Sequence, residues 1–135
     1  MASHYYWKDA ERLLIYSNAG GDHALYELVD KSQGSLPVRP DVVKEDIHCS
    51  YSPDGRYLIG DGYPDAEEFR SIYLVDLKED HAEIIARIYG PTPAIMDVRC
   101  DLHIRWAPCG TKVSFDSIHE GFRAIYELEV FARRT

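Results

Sequence analysis

Three histidines stand at matching points of this sequence: His4, His48 and His103 each come three residues before an aromatic side chain, Trp7, Tyr51 and Trp106. A neutral imidazole presents one nitrogen lone pair, and three protein ligands are usual at an open metal site. Rings that converge from equivalent positions can therefore hold a divalent cation; rings that merely open strands serve as hydrogen-bonding partners of neighbouring loops. Arginines form a second candidate set. Arg99, Arg105 and Arg123 carry planar guanidinium forks suited to a carboxylate, and equally suited to the chain's own acidic side chains. Arg70 and Arg123 each follow Phe and precede Ile-Tyr by two residues, which hints at a structural role. His119, beside Glu120, is a candidate proton acceptor on a loop, or simply a solvated turn residue.

The elements that must position these groups repeat. His4-Tyr-Tyr-Trp-Lys-Asp-Ala-Glu-Arg-Leu-Leu-Ile-Tyr-Ser17, His48-Cys-Ser-Tyr-Ser-Pro-Asp-Gly-Arg-Tyr-Leu-Ile-Gly-Asp61 and His103-Ile-Arg-Trp-Ala-Pro-Cys-Gly-Thr-Lys-Val-Ser-Phe-Asp116 align without a gap. Each shows a histidine, an aromatic, a polar turn and a β-rich run, and each is followed by one further apolar run, beginning at Ala24, Ser71 and Ala124. Pro53 and Gly55 suit a tight turn. In the third copy Cys109 replaces Asp54, removing an acceptor able to cap that turn and predicting a slightly weaker one. Leu36 to Val43 and Ala82 to Tyr89 are read as outer strands, the first demoted to an edge by its two prolines.

Short strands recurring with a period of about 45 to 55 residues predict an all-β chain: a partial β-propeller of three consecutive four-stranded antiparallel blades. The approximate blades are 1–45, 46–97 and 98–135, the last ending after its third strand. Tyr51 and Trp106 are expected between sheets, and Leu13, Ile15, Leu58, Val113 and Phe115 in the core. A β-sandwich is the competing architecture, but it gives no reason for a histidine to recur in register.

Composition narrows the function classes. The formal net charge of −8 disfavours nucleic acid or an anionic membrane as the main partner. No apolar run reaches membrane-spanning length and no signal-peptide pattern opens the chain, so a cytoplasmic location is expected. Cys49, Cys100 and Cys109 lack the spacing of a disulfide framework or zinc knuckle and read as free thiols.

The strings Asp46-Ile-His-Cys-Ser-Tyr-Ser-Pro-Asp-Gly-Arg-Tyr-Leu58, Asp61-Gly-Tyr-Pro-Asp65, Arg99-Cys-Asp-Leu-His-Ile-Arg-Trp106 and Phe115-Asp-Ser-Ile-His-Glu-Gly-Phe-Arg123 resemble the oligogalacturonate lyase family. They also resemble the wider TolB-like and WD40-like propellers, over the later blades of the ring. The resemblance implies β-elimination of short, acidic pectin fragments with a divalent cation, typically Mn²⁺, held by histidines and a glutamine at the channel. His48, His103 and His4 match as metal ligands on this basis. Two positions depart from the pattern. Gln33, the one glutamine, lies in a turn outside these motifs, and Arg105 stands where the lyases favour a second histidine.

Elimination beside a uronic carboxylate needs that charge neutralised and a base near the α-proton. Arg105, Arg123 and His119 are the residues expected to supply these functions. The alternative is a non-catalytic propeller segment that binds a ligand or a protein. Three blades make an open arc with apolar surface expected at both ends, which predicts a homodimer closing a six-bladed ring, unless the arc belongs to a longer propeller.

Overall fold

The computed structural model describes residues 2–93, 95 and 98–131. Part of the loop from Gly90 to Val98 and the last four residues of the third repeat lie outside that set. Three antiparallel sheets follow one another along the chain, each with its strands in sequence order. The first contains β1 (Ala2–Trp7), β2 (Arg12–Ser17), β3 (Ala24–Val29) and β4 (Ser35–Pro37). The second contains β5 (His48–Tyr51), β6 (Tyr57–Pro64), β7 (Phe69–Asp76) and β8 (His81–Tyr89). The third has β9 (Arg105–Trp106), β10 (Lys112–Ser117) and β11 (Ala124–Glu129). β5 touches both β1 and β9, so the leading strands of the three blades stand side by side along one channel.

The turn chemistry explains why strands begin where they do. Gly55 adopts φ +70°, its N–H closing the turn on the Ser52 carbonyl at 2.8 Å, while Asp54 Oδ1 accepts from Arg56 N at 3.1 Å. The third blade keeps the glycine, Gly110 at φ +68°, and its closing bond to Ala107. Cys109 Sγ lies 3.3 Å from Thr111 Oγ1, so the backbone acceptor supplied by Asp54 in the second blade has no carboxylate counterpart there.

Two apolar layers separate the sheets. Leu14 and Leu25 pack with Val43, Ile47, Tyr51 and Leu58 between blades one and two. Ile59 and Ile72 pack with Leu102, Ile104, Val113 and Phe115 between blades two and three. The adjacent pair Leu58 and Ile59 thus serves opposite faces of β6, which is why that strand is apolar without alternation.

Among the described residues the third blade has three strands, as expected of a blade that ends after its third. Three sequence expectations need correction. In β2 it is Leu14 that is fully buried, whereas Leu13 and Ile15 are half-buried on the opposite, outer face. A run of consecutive apolar residues carries no parity, so it could not reveal which side faced the neighbouring blade. Trp106 lies at the margin of its cluster, half-buried, although Tyr51, Leu58, Val113 and Phe115 are buried as expected. The outer strand of blade one is only Ser35–Pro37; beyond it the chain turns inward and delivers Val43 to the core.

Candidate functional site

The channel brings the three histidines together in a row. The ring centroids of His4 and His48 are 4.2 Å apart, as are those of His48 and His103. Two of the three have left-handed backbone, φ +39° at His4 and +45° at His103. A non-glycine residue there costs about 1–3 kcal/mol, a strain common where a side chain must be aimed at a site. His4 accompanies a register shift between Ser3 and Tyr5, which re-aims β1 at the channel.

Each imidazole is fixed through Nδ1. His4 bonds Asp46 Oδ1 at 2.8 Å, His48 bonds Asp61 Oδ2 at 3.1 Å, and His103 bonds the Asp101 carbonyl at 3.3 Å. Carboxylate and carbonyl oxygens only accept, so in each neutral ring Nδ1 donates and Nε2 keeps its lone pair. This is how ligating histidines are generally oriented by their outer partners. Asp61 is 1% exposed, and its other oxygen accepts from Ile104 N at 3.1 Å, so one carboxylate orients His48 and ties blade two to blade three. The hydrogen bond to Asp61 raises the pKa of His48 above the ordinary imidazole value, against the opposing effect of burial.

Asp101 adds a carboxylate that sequence reasoning did not single out. Ligand atoms of His48, His103 and Asp101 lie within 4.8 Å of one another. His4 lies against His48 with the rings tilted by 56° but is not a member of that cluster. The Asp101 carboxylate is gripped from one side by Arg99, whose Nη2 and Nε lie 2.6 and 2.9 Å from Oδ2. Its Oδ1 is 3.2 Å from Nη1 of Arg70, an ion-pair distance but without hydrogen-bond alignment, so Oδ1 has no hydrogen-bond partner among the described residues. Arg70 is itself 1% exposed and its Nε is also unpartnered. A Cβ at residue 90 would come within 3.3 Å of that Nε, so Gly90 leaves the room the guanidinium needs. A buried acceptor without a hydrogen bond costs about 1–3 kcal/mol, and at Oδ1 of Asp101 the charge of Arg70, 3.2 Å away, offsets part of that cost. Two imidazole nitrogens and a carboxylate oxygen suit a first-row divalent cation, so the residues present fit the metal that the sequence resemblance implies.

The other predicted site residues are dispersed. Arg105 lines a recess together with His48 and His103, but its Nη2 is bound to Asp116 at 2.6 Å. Arg123 is exposed, and its positive charge acts on Cys100. His119 is held by Ser117 Oγ at 2.8 Å and rests on Tyr126 with ring centroids 4.2 Å apart. The repeated Asp-x-His of Asp46-Ile-His48 and Asp101-Leu-His103 was the available signal for the missed carboxylates. Asp61 had none beyond its place at the end of the aligned repeat.

No family model and no curated protein matches the chain. Solved structures do. The chain is similar to TolB from Acinetobacter baumannii, with a TM-score of 0.70 and 18% identity over 96% of this chain and 30% of that one. It is similar to an oligogalacturonate lyase in complex with manganese, with a TM-score of 0.74 and 21% identity over 95% of this chain and 35% of the other. A Vibrio parahaemolyticus oligogalacturonate lyase gives a TM-score of 0.69 and 21% identity over 96% of this chain and 35% of that one. The chain thus spans about a third of the length of these proteins. Identities this low speak for the fold, and with the three sheets above they make this chain a partial β-propeller of the kind found in TolB and oligogalacturonate lyase.

Proposed function

We propose that this propeller segment holds a divalent cation through His48, His103 and Asp101, and that the channel accepts the carboxylate of an acidic oligosaccharide, the substrate class of a lyase. The observation that carries this reading is the convergence of three ligand atoms within 4.8 Å, with both imidazoles fixed through Nδ1. A bound cation would supply charge neutralisation at the uronic carboxylate. Asp61 and the Asp101 carbonyl hold the two imidazoles in the ligating tautomer, and Arg99 fixes the Asp101 carboxylate from behind. His4, oriented through Nδ1 by Asp46 and lining a recess beside His48, is the group assigned to take a proton.

A second reading is a ligand-binding segment without catalysis. It is favoured by the commitment of Arg105 to Asp116, which leaves that guanidinium engaged within its own blade.

Thermal melts with and without Mn²⁺ test the cation. A ligand bound only by the native state raises the melting temperature by mass action, and His48→Ala and Asp101→Asn should abolish the shift. Because Asp61 raises the His48 pKa, protons compete with the metal above the ordinary imidazole pKa of 6.5. The Mn²⁺-induced shift should therefore grow as pH rises through neutrality. Equal shifts in wild type and both variants refute the site. Release of unsaturated product from oligogalacturonides then separates the lyase from the binding segment.

A further inference from the structure

The candidate cation ligands sit beside an arginine that packing alone does not explain. Arg70 has the largest of the fully buried side chains among the described residues. It stands on β7 two residues before Ile72, on the same face, and so rises from the apolar layer between blades two and three. Its ion pair is with Asp101, whose own side chain is 9% exposed. The two oxygens of that carboxylate are held in different ways. Oδ2 accepts from Nε of Arg99 at 2.9 Å and has Nη2 of the same guanidinium at 2.6 Å. Oδ1 has Nη1 of Arg70 at 3.2 Å but no hydrogen bond among the described residues, so charge holds it and its lone pairs stay uncommitted. One carboxylate thus faces two guanidinium groups, an excess of positive charge at a proposed cation ligand.

We propose that Arg70 is a built-in counter-charge of the cation site: its guanidinium supplies positive charge to Asp101 while the site is empty, and opposes a divalent cation that enters. The inference rests on the reading of His48, His103 and Asp101 as the ligand set. An arginine kept for structure usually meets a carboxylate through two aligned bonds, the geometry in which its fork is strongest. Here the alignment is missing at Oδ1, and Nε of Arg70 has no partner among the described residues. The pair is held chiefly by Coulomb attraction, which is strong at 3.2 Å away from water. The same attraction has a second consequence. A fixed positive charge in contact with a ligand oxygen weakens that oxygen's hold on any further cation. Removing the Arg70 charge should therefore tighten the site, whereas removing a residue that only kept Asp101 in position should loosen it. The two roles have opposite signs, so one measurement separates them.

Mn²⁺ binding to the 135-residue chain, followed by loss of the free ion's EPR signal, is that measurement. Arg70→Met gives the apolar layer a long neutral side chain, and Mn²⁺ should bind it about tenfold more tightly than the wild type. Arg70→Lys keeps the charge without the fork and should stay close to the wild type. Metal-free melts supply a second readout. Arg70→Met should lower the melting temperature of the empty protein, and the loss should shrink in an Asp101→Asn background, where no charge is left to balance. If Arg70→Met does not fold without metal, Mn²⁺ should restore its circular dichroism, because the cation then supplies the missing charge. Three results overturn the inference and leave the ligand set standing: Mn²⁺ binding to the wild type that is unchanged or weaker in Arg70→Met; a metal-free loss just as large in the Asp101→Asn background; or an unfolded Arg70→Met that Mn²⁺ does not restore. Absence of Mn²⁺ binding from the wild type and both Arg70 variants removes the cation site itself, and this inference with it.

Discussion

Blades one and three show how much a strand's pattern says about its surroundings. β10 reads Lys-Val-Ser-Phe-Asp-Ser and β11 reads Ala-Ile-Tyr-Glu-Leu-Glu, alternations in which Val113, Phe115, Tyr126 and Leu128 pack inward and the charges face out. β2 reads Arg-Leu-Leu-Ile-Tyr-Ser, apolar at four positions running. The middle blade, covered on both faces, has the same kind of run at Leu58 and Ile59. Period-two alternation records one solvated face, and its absence records two covered ones. By this criterion blade one is built like an interior blade and blade three like a terminal one. The expectation of apolar surface at both ends of the arc therefore holds at one end only, because the ion pairs on blade three's outer face satisfy one another in water.

The largest expected effect tests which side of β2 is interior. Leu14→Ala removes a side chain with no exposed surface from the layer between blades one and two, and should cost about 2–5 kcal/mol in urea unfolding. Leu13→Ala, one residue earlier on the outer face, should cost less than half as much when measured on monomeric chain. Costs in the reverse order would exchange the two faces and remove the contrast between the blades. Trp106→Ala comes next. The indole packs beside Phe131 and Tyr57, with ring centroids 6.2 and 6.5 Å away, but it is half-buried and its Nε1 has no hydrogen-bond partner among the described residues. A loss of about 2–3 kcal/mol is expected, at the low end for a buried aromatic. A loss below half a kcal/mol would show that the margin of the second layer contributes almost nothing.

Much of this architecture was legible from three aligned histidines and three turns, because a repeat fixes the period and the period limits the fold. The cause of the rows of sheets is local, in Gly55, Gly110 and the flanking β-branched and aromatic residues. The candidate site was legible only in part. His4, His48 and His103 could be placed at the channel because equivalent positions of successive blades converge, but the spacing of ligand atoms depends on φ at single residues, and +39° at His4 is not written in residue type. Asp61 and Asp101 reach the site through pairing across strands and blades, at 3.1 Å to His48 and within the 4.8 Å cluster respectively. Whether Arg105 faced a ligand or an acidic side chain of its own was open in the sequence, because its partner, Asp116, lies on the neighbouring strand at a register the sequence does not print.

The smallest expected effect separates the turns of blades two and three. In the second blade Ser52 Oγ donates to Asp54 Oδ1 at 2.6 Å and accepts from Tyr57 N at 2.9 Å, while the same Asp54 oxygen accepts from Arg56 N. The third blade has Ala107 and Cys109 at those positions, so the hydroxyl is missing and the backbone of Thr111 and Lys112 meets a sulfur, a weaker acceptor than a carboxylate. Replacing that weak acceptor with Cys109→Asp should stabilise the chain by about 0.5–1 kcal/mol, the net worth of an ordinary hydrogen bond. The thiol itself reports whether the turn is as open as the comparison requires. Cys109 is exposed, and its bond with Thr111 lowers its pKa, whereas Cys49 is buried with its pKa pushed up to about 12 and burial also raises that of Cys100. Since the thiolate is the reactive form, a disulfide reagent at mildly alkaline pH should titrate one thiol quickly in the native protein and all three in denaturant. Rapid reaction of a second thiol in the native state would mean that one of the apolar layers flanking blade two opens readily. A silent Cys109 would mean that the third turn is covered, and the stabilisation expected from Cys109→Asp would then reverse sign, because the new carboxylate would be buried without a partner.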